Sequence, residues 1–244
     1  DRRSRAARDS RTRGFNPQFG AFTPQVFSTA ATNVSIALPA RSIGDRLELY
    51  LTRSSASGDA IAAPLGWTPL DASGLTGTAS SFSRVYYQDV DAGNLAATTA
   101  DFTGGTSTES TSLIVKLTGC DLTVAPVANA TLQNSNGIST VNPGALTGPN
   151  AGAVQRNLWT VYIGVASQDS LSGATPSVTG FPTGYTNTGT STTTDAGAAA
   201  NGCGQGWGTK ESVAGSDDPS AWTYLPAAGG RALAITVANR GVIG

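Results

Sequence analysis

The fold class of this chain is indicated most clearly by residues 47–52, which read LELYLT. Leucine occupies every second position, and Glu48, Tyr50 and Thr52 occupy the positions between them. Successive side chains of a β-strand point to opposite faces of its sheet, so this alternation predicts a strand with one apolar and one polar face. Residues 34–38 (VSIAL) repeat the pattern. Both segments are therefore predicted to be half-buried strands.

Further strand candidates are short, rich in β-branched and aromatic residues, and bounded by Gly, Pro, Asn and Asp. They are residues 82–88, 97–103, 113–117, 158–165, 206–213, 221–224 and 232–237. Such spacing is typical of an antiparallel β-sandwich. The composition agrees, because only 13% of the residues are charged, and Ser, Thr, Gly, Ala and Asn dominate while Leu, Glu and Lys are scarce. The sequence therefore predicts an all-β protein.

Two parts of the sequence resemble each other. Residues 64–68 (PLGWT) correspond to residues 182–186 (PTGYT), 118 positions later (64 to 182). Residues 113–119 (LIVKLTG) correspond to residues 233–241 (LAITVANRG), 120 positions later (113 to 233). Each copy alone would be unable to bury its apolar face, so the copies are expected to pair.

This repeat predicts the domain organisation. Residues 33–244 are expected to form a single β-sandwich of jelly-roll type, with pseudo-repeats at about 33–133 and 151–244. Duplication of a four-stranded half is one origin for such a pair. Residues 134–150 (NSNGISTVNPGALTGPN) are rich in Gly and Pro, so they are predicted to be a long exposed loop without any strand or helix.

Several of these features occur together. Gly44-Asp45 leads into the LELYLT strand, residues 64–68 follow, then the aromatic segment FSRVYYQ (82–88) and an apolar strand that closes at Gly119. This arrangement resembles β-sandwich domains in structural proteins of tailed bacteriophages, including minor tail, fibre and head-decoration components. The resemblance covers roughly residues 33–241. It implies a non-enzymatic virion protein without catalytic residues. Such a protein would be an exterior decoration, collar or fibre-like component docked on the head or tail.

The beginning of the chain is basic. Residues 1–14 carry six arginines against Asp1 and Asp9, a local charge of +4, so the other residues sum to about −5 because the whole chain is −1. The arginines are Arg2, Arg3, Arg5, Arg8, Arg11 and Arg13. Their forked donors suit carboxylates of an acidic partner. Nucleic acid is not the expected partner, because no aromatic residue is interleaved with them.

The next residues are apolar and contain proline. They carry Phe15, Phe19, Phe22 and Phe27. Pro17 and Pro24 exclude a regular helix or a central strand. Residues 1–32 are therefore predicted to be an extended arm that anchors the protein to other virion proteins, with its phenylalanines in the partner's apolar pockets. On this interpretation, deleting residues 2–27 leaves the sandwich folded.

The absence of histidine limits the possible chemistry. It excludes Ser-His-Asp and Cys-His catalysis and histidine-ligated zinc or haem on this chain. The nearest paired carboxylates in sequence, Asp89 with Asp91 and Asp217 with Asp218, stand among turn-forming residues. No cofactor, metal site or enzymatic activity is therefore predicted. No apolar run has the length of about 18 residues that a membrane span needs.

Cys120 and Cys203 leave three alternatives open. A disulfide between them would join the two repeats, two separate buried thiols are equally compatible with the sequence, and a bridge to a neighbouring subunit is the third. Weakly charged, Thr-rich surfaces and the loop 134–150 favour self-association, so a homo-oligomer of three or more copies is expected.

The large aromatic residues suggest an alternative function. They are Trp67, Trp159, Trp207 and Trp222, with Tyr50, Tyr86, Tyr87, Tyr162, Tyr185 and Tyr224. Exposed rings along one groove would form a sugar-stacking platform and favour a lectin-like carbohydrate-binding module for attachment to a host glycan. Buried rings would instead serve the core. The expected location in either case is the virion, assembled in the bacterial cytoplasm.

Overall fold

A computed structural model describes most of the chain. The described residues are 18–54, 61–70, 82–105, 107–133, 138–149, 156–167, 176–193, 202–225 and 230–242. Within these ranges every regular element is a β-strand, and every paired strand is antiparallel to its neighbour. The predicted all-β, antiparallel fold is confirmed.

The strands fall into two consecutive sets. The first set contains β1 (Gln18–Ala31), β2 (Val34–Ala37), β3 (Arg46–Arg53), β4 (Thr68–Pro69), β5 (Phe82–Asp89), β6 (Thr99–Phe102) and β7 (Thr108–Thr118). The second set contains β8 (Val127–Gln133), β9 (Thr140–Val141), β10 (Leu146–Thr147), β11 (Asn157–Ser167), β12 (Ser177–Gly180), β13 (Thr186–Thr192), β14 (Cys203–Ser212), β15 (Ser216–Asp217), β16 (Trp222–Leu225) and β17 (Gly230–Arg240).

Each set forms one large sheet and smaller ones. The first large sheet has the order β1-β7-β3-β5-β4, and the second has the order β8-β17-β11-β14-β13. In both, the first strand of the set lies at one edge and pairs with the last strand of the set, which pairs in turn with the central strand. Strands β2 and β6 form a small sheet in the first set, and β9, β16 and β12 form one in the second.

Buried side chains form three clusters. The first-set cluster includes Val34, Ile36, Leu47, Leu49, Leu51 and Phe102, between the first large sheet and β2–β6. The second-set cluster includes Trp159, Val161, Ile163, Trp222 and Tyr224, between the second large sheet and β9–β16–β12. The inner cluster includes Tyr50, Leu113, Val115, Tyr162, Trp207 and Ile235, between the two large sheets. The result is a β-sandwich-like stack in which the two large sheets face each other.

The packing of the large sheets changes the environment of β3. The strand itself is confirmed, and Leu47, Leu49 and Leu51 pack in the first-set cluster. Its other face was predicted to meet solvent, and this is wrong: Glu48, Tyr50 and Thr52 are completely buried. The second large sheet covers them, because β3 packs on β11. Strand β2, by contrast, is half-buried as predicted.

The predicted arm is partly an element of the fold. Residues 18–31 form β1, which pairs along most of its length with β7. Strand β1 lies at the sheet edge, as Pro24 requires. Phe19 and Phe22 pack against the inner cluster, and Phe27 packs against the first-set cluster. Each of the three is partly buried against the body of the protein, and their insertion into pockets of a partner stays a prediction. Arg2, Arg3, Arg5, Arg8, Arg11, Arg13 and Phe15 lie outside the described residues.

The segment 134–150 is not a loop without elements. Its described part, 138–149, contains β9 and β10. Val141 is buried in the second-set cluster and pairs with Trp222 of β16. The prediction of a wholly exposed loop was wrong because these very short strands obtain their partners from residues more than 60 positions later, which local composition does not reveal.

Glycine at every second position of β14 has a packing cause. A Cβ on Gly204 would lie 2.7 Å from the carbonyl oxygen of Pro176, and one on Gly206 would lie 3.0 Å from Val178. A bare face on β14 therefore lets β12 and the residue before it approach the backbone closely.

Candidate functional site

Three pockets lined by described residues open at the same end of the stack. We call it the Arg46 end, because Arg46 begins β3 there. Arg46 Nη1 lies 3.4 Å from Oδ1 of Asn239, and Asn239 pairs with Leu158 near the start of β11. The two central strands therefore begin at the same end. Each pocket is lined by residues from this end of the large sheets.

The largest of the three is the apolar pocket, with a volume of about 670 Å³. Its lining consists of Gln18, Ile43, Gly44, Asp45, Thr118, Gly119, Cys120, Leu122 and Val242. Ile43 is 62% exposed and Val242 is 39% exposed, so two aliphatic side chains at its rim face solvent. Gln18 pairs with Thr118 at the start of β1. The basic residues 1–14 therefore precede, by only a few positions, a strand that begins at this rim.

The second pocket, named here the Tyr87 pocket, has a volume of about 500 Å³. It is lined by Leu65, Gly66, Thr68, Tyr87, Gln88, Asp89, Asp91, Gly93 and Asn94. Leu65 is 100% exposed, and Tyr87 is partly exposed. The Nε2 of Gln88 donates to the carbonyl oxygen of Gly66 at 3.2 Å. The Oε1 of the same side chain is buried and has no hydrogen-bond partner among the described residues.

The acidic residues of this pocket form a turn. Oδ1 of Asp91 accepts hydrogen bonds from the backbone N–H groups of Gly93 at 2.8 Å and Asn94 at 3.0 Å. The side chain of Asn94 donates to the carbonyl oxygen of Asp89 at 2.9 Å. The turn-forming role predicted for Asp91 is therefore confirmed.

Asp89 is held by an ion pair below the Tyr87 pocket. Arg46 Nε lies 2.6 Å from Oδ1 of Asp89, and Arg46 Nη2 donates to Oδ2 at 3.0 Å. The guanidinium carbon is also 5.3 Å from the centroid of the Tyr87 ring. Arg46 is completely buried, so both forks of this cation are committed inside the protein.

The third pocket, the Lys210 pocket, has a volume of about 260 Å³. Its lining is Phe19, Gly184, Thr186, Asn187, Thr209, Lys210 and Glu211. It occupies the position in the second set that the Tyr87 pocket occupies in the first. Gly66 and Gly184 have φ values of 80° and 83°, a conformation that favours glycine, and each is followed by a buried aromatic residue.

Strand pairing supports this equivalence. Thr68 pairs with Tyr87 in the first set, and Thr186 pairs with Thr209 in the second. Strand β14 therefore carries Thr209, Lys210 and Glu211 at the positions equivalent to Tyr87, Gln88 and Asp89 of β5. Lys210 Nζ lies 2.6 Å from Asp217, whose other oxygen accepts a hydrogen bond from Tyr185. Burial and this bond raise the pKa of Tyr185 above its ordinary value.

A buried carboxylate lies between the large sheets near the same end. Oε2 of Glu48 accepts a hydrogen bond from the hydroxyl of Tyr50 at 2.7 Å, and Oε1 accepts one from Asn239 at 2.5 Å. Burial raises the pKa of Glu48 despite these bonds. Because Glu48 is fully buried and bonded to both large sheets, it joins the sheets and is not available to a ligand.

The cysteines are free thiols, so the disulfide alternative is wrong. Cys120 lines the apolar pocket at the Arg46 end, whereas Cys203 Sγ lies 3.7 Å from the carbonyl oxygen of Thr52. Six residue steps of β3 separate Arg46 from Thr52, about 20 Å at the usual rise of a strand. A disulfide needs its Cα atoms within about 7 Å. Burial makes both thiols weakly acidic, raising the pKa of each to about 12.

The tryptophans do not form a stacking platform. Trp67, Trp159, Trp207 and Trp222 are all buried, and so are Tyr50, Tyr86, Tyr162, Tyr185 and Tyr224. Because these rings are buried, they cannot form the exposed sugar-stacking platform that the sequence suggested as an alternative. Tyr87 differs, because it is only partly buried and lines a pocket. Sequence reasoning included Tyr87 but had no signal that separated it from the core aromatics.

The described residues were also compared with the requirements of a metal site and of a membrane-spanning helix. Among the described residues no group of three or more Asp, Glu or Cys side chains is arranged to hold a metal ion. The same residues include no helix that is long and apolar enough to cross a membrane. Comparison of the chain with protein-family models, with curated proteins and with solved structures gives no significant match.

Proposed function

We propose that this protein is a structural component of a tailed-bacteriophage virion, an exterior decoration, collar or fibre-like protein docked on head or tail proteins at its Arg46 end. The observation that carries the proposal is the position of Gln18. It lies on the rim of the apolar pocket and follows closely on the six arginines of residues 1–14. In sequence, the six arginines therefore come shortly before a strand that begins beside exposed aliphatic surface.

The chemistry of the partner follows from this arrangement. Arginine guanidinium groups bind carboxylates through paired hydrogen bonds, and charge attraction speeds the encounter. Ile43 and Val242 then offer apolar contacts at the pocket where Gln18, the first residue of β1, lies. The partner is a polypeptide that presents acidic residues next to an apolar side chain. Residues 18–31 hold the basic segment to the body by their pairing with β7.

We further propose that the two sets of strands arose by duplication of one jelly-roll-like half. The matching orders of the two large sheets support this, and so do the equivalent Tyr87 and Lys210 pockets. The repeated motif at residues 64–68 and 182–186 supplies the glycine turn of each pocket.

Particle incorporation tests the docking role. Deleting residues 1–14, which leaves β1 intact, should abolish incorporation while thermal stability is retained. Ile43→Asp should weaken incorporation, because it places a charge on the rim of the apolar pocket. Leu225→Asp is the matched control, since Leu225 is 48% exposed, lines none of the three pockets, and pairs with Ser177 near Gly204, at the end of the stack opposite to Arg46. Normal copy number after the deletion would refute the proposal.

We also propose that the protein functions as a homo-oligomer of three or more copies, as virion components commonly do. The low charge of the chain, 13% of residues, gives little repulsion between copies. Native mass spectrometry of the free protein, together with the copy number on the particle, measures this. A monomer in both states would contradict it.

A further inference from the structure

We infer that the Tyr87 pocket is a saccharide-binding site that accepts a neutral pyranose. Its volume of about 500 Å³ lies within the range of small-molecule sites, about 300–1,000 Å³. The inference concerns one pocket of the first set and does not depend on the docking role proposed above.

The lining combines two kinds of surface. Leu65 and Tyr87 supply an aliphatic and an aromatic wall. Thr68, Gln88 and Asp91 supply a hydroxyl, an amide and a carboxylate. A pyranose has an apolar C–H face and a rim of hydroxyl groups, so it can use both surfaces at once. Ligand sites generally show this combination of apolar walls and a few polar groups.

The side chain of Gln88 contains a hydrogen-bond acceptor that lacks a donor in the part of the chain that the structure describes. Only 6% of this residue is exposed, and its Oε1 has no hydrogen-bond partner among the described residues. Leaving a buried acceptor without a donor costs free energy. A sugar hydroxyl entering beside the exposed Gly66 turn would supply the donor after a local shift of that turn uncovers Oε1, which is enclosed in this conformation.

The charges in the pocket disfavour ionic ligands. Asp89 and Asp91 repel phosphates and carboxylates, and the nearby cation, Arg46, is buried and paired with Asp89. A cation is also poorly served, because Arg46 occupies the Asp89 carboxylate and two backbone N–H groups occupy Oδ1 of Asp91. A neutral ligand avoids the repulsion and needs no free pair of carboxylates, because a hydroxyl group can donate to the remaining oxygen, Oδ2 of Asp91.

The equivalent Lys210 pocket provides an internal comparison. It is smaller, about 260 Å³, and Thr209 stands at the position equivalent to Tyr87, so the aromatic residue in its lining is Phe19 of β1 instead. Lys210 replaces the acceptor amide of Gln88 and is paired with Asp217. We therefore expect one saccharide site in each chain, in the first set only.

Saturation-transfer NMR and calorimetry on the full chain test this inference. The probes are methyl glycosides of glucose, galactose, mannose, rhamnose and N-acetylglucosamine. We expect saturable binding of at least one glycoside below about 10 mM, a modest affinity suited to a single sugar ring, with a stoichiometry of one per chain.

Variants locate the site. Leu65→Ala should weaken binding at least several-fold without affecting the fold, because Leu65 is fully exposed. Tyr87→Ala should weaken binding about 10-fold or more. The melting temperature of this variant shows whether removal of the Arg46–Tyr87 contact has also destabilised the fold. The matched controls are Leu225→Ala, an exposed leucine outside the three pockets, and Thr186→Ala in the Lys210 pocket. Both should bind as the unmodified chain does.

Two results would overturn the inference: no saturable binding of any probe, or binding that neither Leu65→Ala nor Tyr87→Ala weakens. Particle incorporation distinguishes this failure from failure of the docking role. Loss of incorporation on deleting residues 1–14, together with no glycoside binding, would leave the docking role supported and the saccharide site refuted.

Discussion

The rings of Tyr50 and Tyr162 stack across the boundary between the two large sheets, with centroids 4.6 Å apart and planes 21° from parallel. Tyr162 continues the contact with its hydroxyl, which lies 2.7 Å from Oγ1 of Thr52 and donates to Gln205 at 3.0 Å. The inner layer therefore combines aromatic stacking with a hydrogen bond between residues 110 positions apart. The two large sheets pack so closely in this layer that Gly164 has no room for a side chain.

Gly164→Ala should destabilise the protein by overpacking this layer. A Cβ at position 164 would clash with Thr52 Oγ1 and Ser83 Oγ and lie 3.0 Å from Thr52 Cβ, so these side chains or the sheets that carry them must shift. Overpacking of this kind costs about 1–3 kcal/mol, measured by urea unfolding. The same change in a Thr52→Ala/Ser83→Ala background should cost less. Equal costs in both backgrounds would show that these hydroxyls do not cause the strain.

Deleting residues 1–27 should destabilise or unfold the chain, whereas deleting residues 1–14 should not. The longer deletion removes most of β1 and the packing of Phe19, Phe22 and Phe27, each worth up to about 1.5–3 kcal/mol. Phe22→Ala should therefore lower the unfolding free energy clearly, and Val26→Ala, at an exposed position of β1, should have little effect. A fully stable protein lacking residues 1–27 would contradict the placement of β1.

Both cysteines should be inert in the folded protein and free in the unfolded one. Burial and a pKa of about 12 leave little thiolate at pH 8, so iodoacetamide should not label Cys120 or Cys203 in native conditions. In urea without a reductant, intact-mass analysis should show two labels. Recovery of unlabelled protein in urea would indicate a disulfide and contradict the structure.

Stability should depend on pH through Glu48. Its pKa in the folded protein is raised above the ordinary 4.5 by burial, so the folded state holds this proton more tightly than the unfolded state does. That contribution to stability is complete below about pH 4.5 and is lost as pH rises through the folded pKa. Glu48→Gln lacks it.

The difference in unfolding free energy, unmodified protein minus Glu48→Gln, should therefore decrease between pH 4 and pH 7. Because the comparison is a difference, groups such as Asp121, whose pKa is lowered by bonds to Thr123 and Arg240, cancel from it. A difference that is constant or rises with pH would mean that Glu48 titrates in the folded protein at or below its ordinary value.

The sequence by itself determined where most strands lie. Residues 47–52 and 82–88 alternate or carry β-branched and aromatic residues between turn formers, and these are local properties of the chain, so β3 and β5 were found. Pro24 excluded a central strand for the same reason, but it did not reveal that residues 18–31 form an edge strand. The repeated glycine turns at residues 66 and 184 were also visible, because a positive φ favours glycine wherever it occurs.

The tertiary structure alone decided what covers each strand. Glu48 and Thr52 have the polarity of solvent-facing residues, yet a second sheet more than 100 residues away in sequence buries them. The same long-range pairing makes residues 18–31 a strand and separates Cys120 from Cys203. It also leaves Tyr87 at a pocket while burying the tryptophans. Burial depends on which surfaces meet, and local sequence patterns carry no information about distant surfaces.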